Sequence, residues 1–348
     1  MRTIIRNQHI RAILLQITII LILVLVIFFA AYYQPGKSCT IFTAIQSDIV
    51  LFGNSEDQHN PDPVIGFRPP SSEGYGSVMF GTTGPDGQYN FEGGMNDQGL
   101  AWDMNSTPKA KLDPDPNPGK PECYEDNFLY RITKEAATVE QAIRIVKSCH
   151  FGEALPGQYH IADANGDAVV ISGGPDGKVA FTRIDPGEGY LLSTNFNLAQ
   201  PEKGPVDFRW ETATEQLDAL ESGAALTPEY AMALMESVQL NTVTTYTLYQ
   251  NVLDLTENKI YLSYMSQYDE IAEIDMEEEF KKGQRVVEMR ELFSEETAAA
   301  GDAAHQRFAF RFTAAKVGVI TLALLLIIGM LFLIIRRVKK RVRTAADG

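Results

Sequence analysis

Cys39 carries the richest chemistry in the chain, because of where it stands. It follows by six positions an apolar run of membrane-spanning length that ends at Tyr33, and it opens the alternating stretch Cys39-Thr40-Ile41-Phe42-Thr43-Ala44-Ile45. A cut between Ser38 and Cys39 would leave a thiol and a free α-amine on one residue, a nucleophile with its own base. A thiol titrates near ~8.5 and an α-amine near ~7.7–8.0, so the amine can take the thiol proton close to neutral pH without a histidine. Such an amine must be held in place. Phe52-Gly53-Asn54-Ser55-Glu56-Asp57 supplies two carboxylates for this on the adjoining strand. Thiolate attack on an amide carbonyl creates an oxyanion, and each fixed neutral donor to it is worth about 3–4 kcal/mol. Asn96, on the sharp turn of Gly93-Gly94-Met95-Asn96-Asp97-Gln98-Gly99-Leu100, and Asn195, ending Leu192-Ser193-Thr194-Asn195, are the candidate donors.

These residues need elements to position them. The alternation predicts strands at 39–45 and 49–53 around the turn Gln46-Ser47-Asp48. Further strands are expected at 78–80, 89–93 and 99–104. Residues 61–76 and the proline-rich 108–122 read as loops, and 113–117 is too stiff, with its glycine misplaced, for a calcium loop. Helices are expected at 124–137 and at 139–148, the second capped by Thr138. Strands follow at 159–164, 168–172, 179–184 and 190–194. Helices return at 208–220 and, behind Thr227, at 228–240; strands at 242–248 and 260–264 close the set. The charged segment 277–297 reads as helical. Runs of strands alternating with runs of helices point to an α+β fold of stacked antiparallel sheets covered by helices.

Other chemistries find little support. The five histidines, at 9, 59, 150, 160 and 305, form no pair at helical metal-ligand spacing. No glycine-rich phosphate loop follows a strand, and no G-x-S-x-G elbow is present. Metal catalysis and nucleotide chemistry therefore find little support. Residues 39–316 hold 20 Lys and Arg against 44 Asp and Glu, a net charge of −24 that repels nucleic acid. The three cysteines all lie in this segment; Cys123 and Cys149 flank one helical stretch and can pair, which leaves Cys39 over.

Two apolar runs frame the acidic segment, and both are long enough to cross a bilayer as helices. Arg2, Arg6 and Arg11 precede the first; Arg336, Arg337, Lys339, Lys340, Arg341 and Arg343 follow the second. Positive flanks stay in the cytoplasm, which puts the middle of the chain on the extracytoplasmic side of the cell membrane. The expected organisation is a signal anchor or signal peptide within 1–38 (helix about 12–33), an ectodomain at 39–297, a link at 298–316, a transmembrane helix at 317–335 and a basic tail at 336–348. Asn105-Ser106-Thr107 is a glycosylation sequon.

Taken in order, Cys-Thr-x-Phe from Cys39, Phe-Gly-Asn-x-Glu-Asp from Phe52, Gly-Gly-Met-Asn-x-x-Gly-Leu-Ala from Gly93 and Ser-Thr-Asn from Ser193 resemble the N-terminal-nucleophile hydrolases. Within them the chain is similar to the linear-amide group of choloylglycine hydrolases, penicillin V acylases and acyl-CoA:6-aminopenicillanic acid acyltransferase-like enzymes. The resemblance covers roughly residues 39–265. It implies a four-layer αββα sandwich, no cofactor, and a cysteine amidohydrolase or acyltransferase acting on a small-molecule acyl amide; the two membrane helices depart from the family, most of whose members are soluble. By position it makes Cys39 the nucleophile, Asp57 the holder of the new amine, Asn96 the backbone oxyanion donor, Asn195 the side-chain donor and Arg209 an arginine near the nucleophile. Many members carry arginine where this chain has Asn54, which can donate a hydrogen bond but not a charge to the thiolate; relatives of the acyltransferase-like kind also have asparagine there, so the residue is not read as inactivity. The alternative expectation is a degenerate hydrolase fold serving as a ligand-binding or cell-surface module. Homo-oligomerisation is left open.

Overall fold

The alternation that starts at Cys39 forms an edge-to-edge hairpin. In a computed structural model, which describes residues 15–28, 38–58, 62–115, 117, 119–184, 189–201 and 208–346, β1 (Ser38–Gln46) and β2 (Ile49–Gln58) pair antiparallel throughout. Ser47, at φ 55°, turns the chain between them. Phe42 faces Gly53 across the pair, and a β-carbon at Gly53 would come within 2.2 Å of the Phe42 ring. Glycine is therefore required for the strands to close over that aromatic.

This hairpin lies within a six-stranded antiparallel sheet ordered β10-β1-β2-β11-β12-β13, where β10 is Tyr190–Ser193, β11 Tyr246–Asp254, β12 Lys259–Tyr264 and β13 Gln267–Asp275. A second, eight-stranded sheet runs β14-β3-β4-β5-β6-β7-β8-β9. Its strands are β3 (Pro63–Arg68), β4 (Ser77–Thr83), β5 (Tyr89–Asn96), β6 (Ala101–Lys111), β7 (Ala154–Ala162), β8 (Ala168–Gly173), β9 (Val179–Arg183) and β14 (Arg285–Glu288).

Period-two alternation gives each sheet two faces. Phe42, Leu51 and Val252 of the six-stranded sheet pack on Ala213 and Leu217 of α4 (Phe208–Glu221) and on Met232 and Met235 of α5 (Pro228–Ser237). Trp102, Tyr159, Ile161 and Ile171 of the other sheet pack on Phe128 and Ile132 of α2 (Phe128–Glu135) and on Val139 and Val146 of α3 (Val139–Lys147). The opposite faces meet each other. Thr43 bonds His160 at 2.9 Å, Phe52 sets its ring edge-on to His160, and Phe80 stacks on Tyr249. The layers thus run helix, sheet, sheet, helix. Thr138 and Thr227 cap α3 and α5 as the sequence predicts, accepting from the amides of Gln141 and Tyr230.

Three expectations are corrected. The supposed loop at 61–76 contains β3, whose Val64, Ile65 and Phe67 are buried. The charged stretch 277–297 is a short helix, α6 (Met276–Lys281), then β14 and a 3-10 turn at Met289–Leu292. Its Glu and Lys favour helix locally, but pairing of Arg285–Glu288 with β3 overrides that preference, and the Arg285 guanidinium lies 4.3 Å from the Phe67 ring centre. The supposed link is helical as well: α7 runs from Glu295 to Ala346. Its first turns are fixed to β12, where the Tyr264 hydroxyl donates to Asp302 at 2.6 Å.

The chain divides into two compact units, Gly36–Gln306 and a second made of Met1–Pro35 with Arg307–Gly348. One helix among the described residues, α7, is long and apolar enough to cross a membrane. The first expected span is described only as α1 (Leu15–Phe28), short of the ~20 residues a crossing needs. The remainder of 12–33 lies outside the described residues.

Cys123 and Cys149 form a disulfide across a sequence separation of 26 and enclose α2 and α3; Cys39 is buried and free. Closing a loop of that length removes about 3–4 kcal/mol of unfolded-state entropy. Replacing both cysteines with alanine should therefore lower unfolding free energy by about 2–4 kcal/mol, read from denaturant midpoints of the membrane-extracted chain.

Candidate active site

Cys39 sits second on β1 with 2% of its surface exposed. β10 ends at Ser193, so the Cys39 amide has no ladder partner on that side. The Asn195 side chain supplies one: Oδ1 accepts from Cys39 N at 3.0 Å. The Cys39 carbonyl accepts from Asn105 Nδ2 at 3.1 Å, across the space between the sheets. The thiol donates to Glu56 Oε2 at 3.4 Å. Backbone nitrogen, backbone oxygen and sulfur are thus each held by a different side chain.

Register explains the last contact. Cys39 is paired with Glu56 on β2, and paired residues share a face. Glu56 and Asp57 are consecutive, so they point to opposite faces. Asp57 turns toward the helices. Its Oδ1 accepts from Ser55 at 3.2 Å and from Thr247, and its Oδ2 pairs with Arg209 Nη1 at 3.4 Å. Burial pushes the Asp57 carboxyl up to about 7, against the opposing pull of Arg209 and Thr247.

Arg209, second residue of α4, is 3% exposed. Its Nη2 donates to Asn195 Oδ1 at 3.0 Å. A continuous path therefore links Asp57, Arg209, Asn195 and the Cys39 nitrogen. The structure brings together Cys39, Asp57, Asn195 and Arg209 of the residues singled out from sequence.

Asn96 belongs elsewhere. Its Nδ2 donates to the carbonyls of Thr133 and Ala136, and its Oδ1 accepts from the amides of Gln98 and Leu100. Its own amide is bonded to the Leu100 carbonyl. It ties the β5–β6 turn to the end of α2, and its backbone N–H is already committed. Asn195 also departs from expectation, since it accepts from Cys39 while its Nδ2 donates to Ser106 O at 2.9 Å.

Asn105 was missed as a site residue. It is fully buried on β6, and Gln158 Nε2 fixes its amide by donating to Oδ1 at 3.3 Å. The same Gln158 nitrogen donates to the carbonyls of Thr194 and Phe196. One side chain thereby sets both the donor to Cys39 and the loop that carries Asn195. A signal existed in the alternation: Trp102 faces the helices, which turns Asp103 and Asn105 toward the other sheet. Asp103 occupies the space that a side chain at Gly93 would take.

Electrostatically the intact site is acidic and buried. Burial, then the charges of Glu56, Asp103 and Asp57, push the Cys39 thiol well above its usual range, so it is held protonated. His160 offers no charge or free nitrogen. Its two ring nitrogens bond Thr43 and Ser193 at 2.9 Å each, and burial takes its pKa down to about 3. Beside Glu56 on the same face, Asn54 pairs in register with Asn251, and neither amide has a hydrogen-bond partner. The Tyr249 hydroxyl, in register with Glu56, is likewise unpartnered. A cavity of about 650 Å³ lined by Lys109, Lys111, Asp176, Phe196 and Gln200 reaches the site at Asn195. Among the described residues no group of three or more His, Cys, Asp or Glu could hold a metal ion.

The buried Cys39 thus lies on the first strand of one of two facing antiparallel sheets, with helices outside both. Residues 68–222 match the acyl-coenzyme A:6-aminopenicillanic acid acyl-transferase family model, a stretch that includes Asn105, Asn195 and Arg209 and lies after Cys39 and Asp57. The fold is shared with the conjugated bile acid hydrolase of Clostridium perfringens, solved in two mutant forms. Each form aligns with a TM-score of 0.52 and 18% identity over 72% of this chain and 96% of the other. It is also shared with penicillin V acylase from Agrobacterium tumefaciens, at a TM-score of 0.50 and 18% identity over 69% of this chain and 86% of that one. No curated protein matches in sequence.

Proposed function

We propose that this chain is a cysteine amidohydrolase or acyltransferase that acts on a linear, non-peptide acyl amide after a cut between Ser38 and Cys39. The observation that carries it is the triple hold on Cys39: nitrogen to Asn195, carbonyl to Asn105, sulfur to Glu56. The cut converts the Cys39 amide into an amine. Asn195 and the Asp57–Arg209 pair then hold that amine, which takes the thiol proton. Attack on the substrate carbonyl gives an oxyanion, stabilised by the Asn105 amide in place of Asn96, while Asn195 serves by holding the Cys39 nitrogen. The leaving amine collects the proton, and water or a second amine resolves the thioester. The unpartnered amides of Asn54 and Asn251 suit a polar, uncharged group on the substrate, since buried amides left unbonded cost about 1–3 kcal/mol each. In this reading α7 is a membrane anchor, and the Lys and Arg residues that follow its apolar stretch support an extracytoplasmic catalytic unit.

The test is the intact mass of the membrane-extracted protein, followed by an acyl-amide panel with released amine as readout. A chain beginning at Cys39 that cleaves at least one non-peptide amide is expected. A chain still joined at Ser38 that cleaves none would leave a binding module, the reading that Asn54 in place of the relatives' arginine favours.

A further inference from the structure

The intact chain poses a chemical problem that the mature enzyme does not. Before the cut, the Cys39 nitrogen is an amide, which is not a base, so the thiol lacks the partner that later activates it. Its pKa is also raised by burial and by neighbouring carboxylates, so no standing thiolate exists. For the sulfur to react, its proton must leave while the new bond forms, to a base already in contact with it. Among the described residues the thiol has one such hydrogen bond, to Glu56 Oε2 at 3.4 Å.

We propose that Glu56 is the general base of a self-cleavage step that creates the Cys39 terminus. The proposal rests on the N-terminal-nucleophile reading above. The Glu56 carboxylate takes the Sγ proton as sulfur attacks the Ser38 carbonyl carbon through a five-membered ring. The Ser38–Cys39 C–N bond breaks, and the proton passes from Glu56 to the departing Cys39 nitrogen. The product is a thioester at Ser38 with a free amine on Cys39. Water then cleaves that thioester, releasing the Ser38 carboxylate and restoring the thiol. Asn195, bonded to the leaving nitrogen, keeps the scissile bond oriented during the step.

The rest of the site supports this choice. Gln58 Nε2 donates to Glu56 Oε1 at 2.9 Å, which leaves Oε2 directed at the sulfur. Asp57 is excluded by strand parity, with its oxygens engaged by Ser55, Thr247 and Arg209 on the other face. His160 is excluded because Thr43 and Ser193 occupy both ring nitrogens.

The experiment uses the full chain, made in a cell-free system with nanodiscs and purified components free of added protease. Cut product is followed by intact mass over time. The wild-type chain should mature, and hydroxylamine should trap the thioester as a hydroxamate on Ser38. Glu56→Gln should slow maturation at least 100-fold and yield no hydroxamate, with an unchanged circular dichroism spectrum. Glu56→Asp keeps the charge but shortens the reach, so it should mature at an intermediate rate, and its rate should still level off at high pH. Wild-type speed in Glu56→Gln would overturn the role of Glu56 while leaving the N-terminal-nucleophile reading intact. If Glu56→Gln fails to fold, Glu56→Asp decides: a wild-type rate there sinks the proposal, an intermediate rate supports it. A wild-type chain that stays joined at Ser38 here but matures once membrane extract is added assigns the cut to an external protease and also overturns it. A chain that never matures and never turns over an amide brings down the parent reading itself.

Discussion

Cys39→Ala is expected to abolish acyl-amide turnover, with a loss on the order of 10⁶-fold, the scale on which removing the nucleophile acts in a covalent hydrolase. The substitution removes one buried sulfur and no backbone contact, so the hold of Asn195 and Asn105 on residue 39 should persist. Stability should change by about 1 kcal/mol, the ordinary size of a small core truncation. Cys39→Ser separates shape from chemistry. It preserves the volume and the hydrogen bond to Glu56, but its hydroxyl proton is far harder to remove than that of a thiol. Turnover of Cys39→Ser within tenfold of wild type, measured as amine release, would count against a thiolate mechanism.

The physical reason these residues could be named from sequence is that most of the signals were local. β1 and β2 follow from period-two alternation on both sides of a two-residue turn, and Thr138 and Thr227 announce their helices as caps. Cys39 was legible for the same reason, as the first residue of a strand behind an apolar run. Asn96 was singled out because its turn is a strong local signal, and the structure gives it a local use in holding that turn against α2. Asn105 was hidden because its role comes from β6 facing β1 in a different sheet, a contact that 66 residues of separation keep out of any local pattern.

Other parts of the arrangement were less legible, for related reasons. Arg209 gives no sign in sequence that it is buried, since its partners Asp57 and Asn195 come from β2 and the end of β10. The segment at 277–297 shows the converse, where local helix preference is strong and strand pairing with β3 overrides it. Glu56 was readable in principle. Two consecutive carboxylates on a strand must face opposite ways, so a single residue step separates a group touching sulfur from one touching Arg209.

That step also sets the pH dependence of the intact chain. Asp57 titrates near 3.8 when unfolded and at about 7 in the fold, with burial as the main cause. The folded state therefore binds the proton more tightly, and stability is lost as pH rises. The loss begins above pH 4, where the unfolded carboxyl ionises, and is complete once pH passes 7. Its size is about 4 kcal/mol, from a shift of roughly three units at about 1.4 kcal/mol each. Uncut chain, for example the Cys39→Ala variant, should show its denaturant midpoint falling over that window. Asp57→Asn should flatten the slope and stay close to wild-type stability below pH 4, where the buried Asp57 is itself neutral beside Arg209. The cut should flatten it too, for a different reason. A new ammonium on Cys39 lies against Asn195 and next to the Asp57–Arg209 pair, and a cation within ~4–6 Å lowers a carboxyl by about 1–3 units. The mature chain would then keep Asp57 ionised across the neutral range and lose little stability there. A mature chain whose midpoint falls with pH as steeply as the uncut one would mean that Asp57 does not sense the new amine, and its assignment as the residue holding that amine would fail.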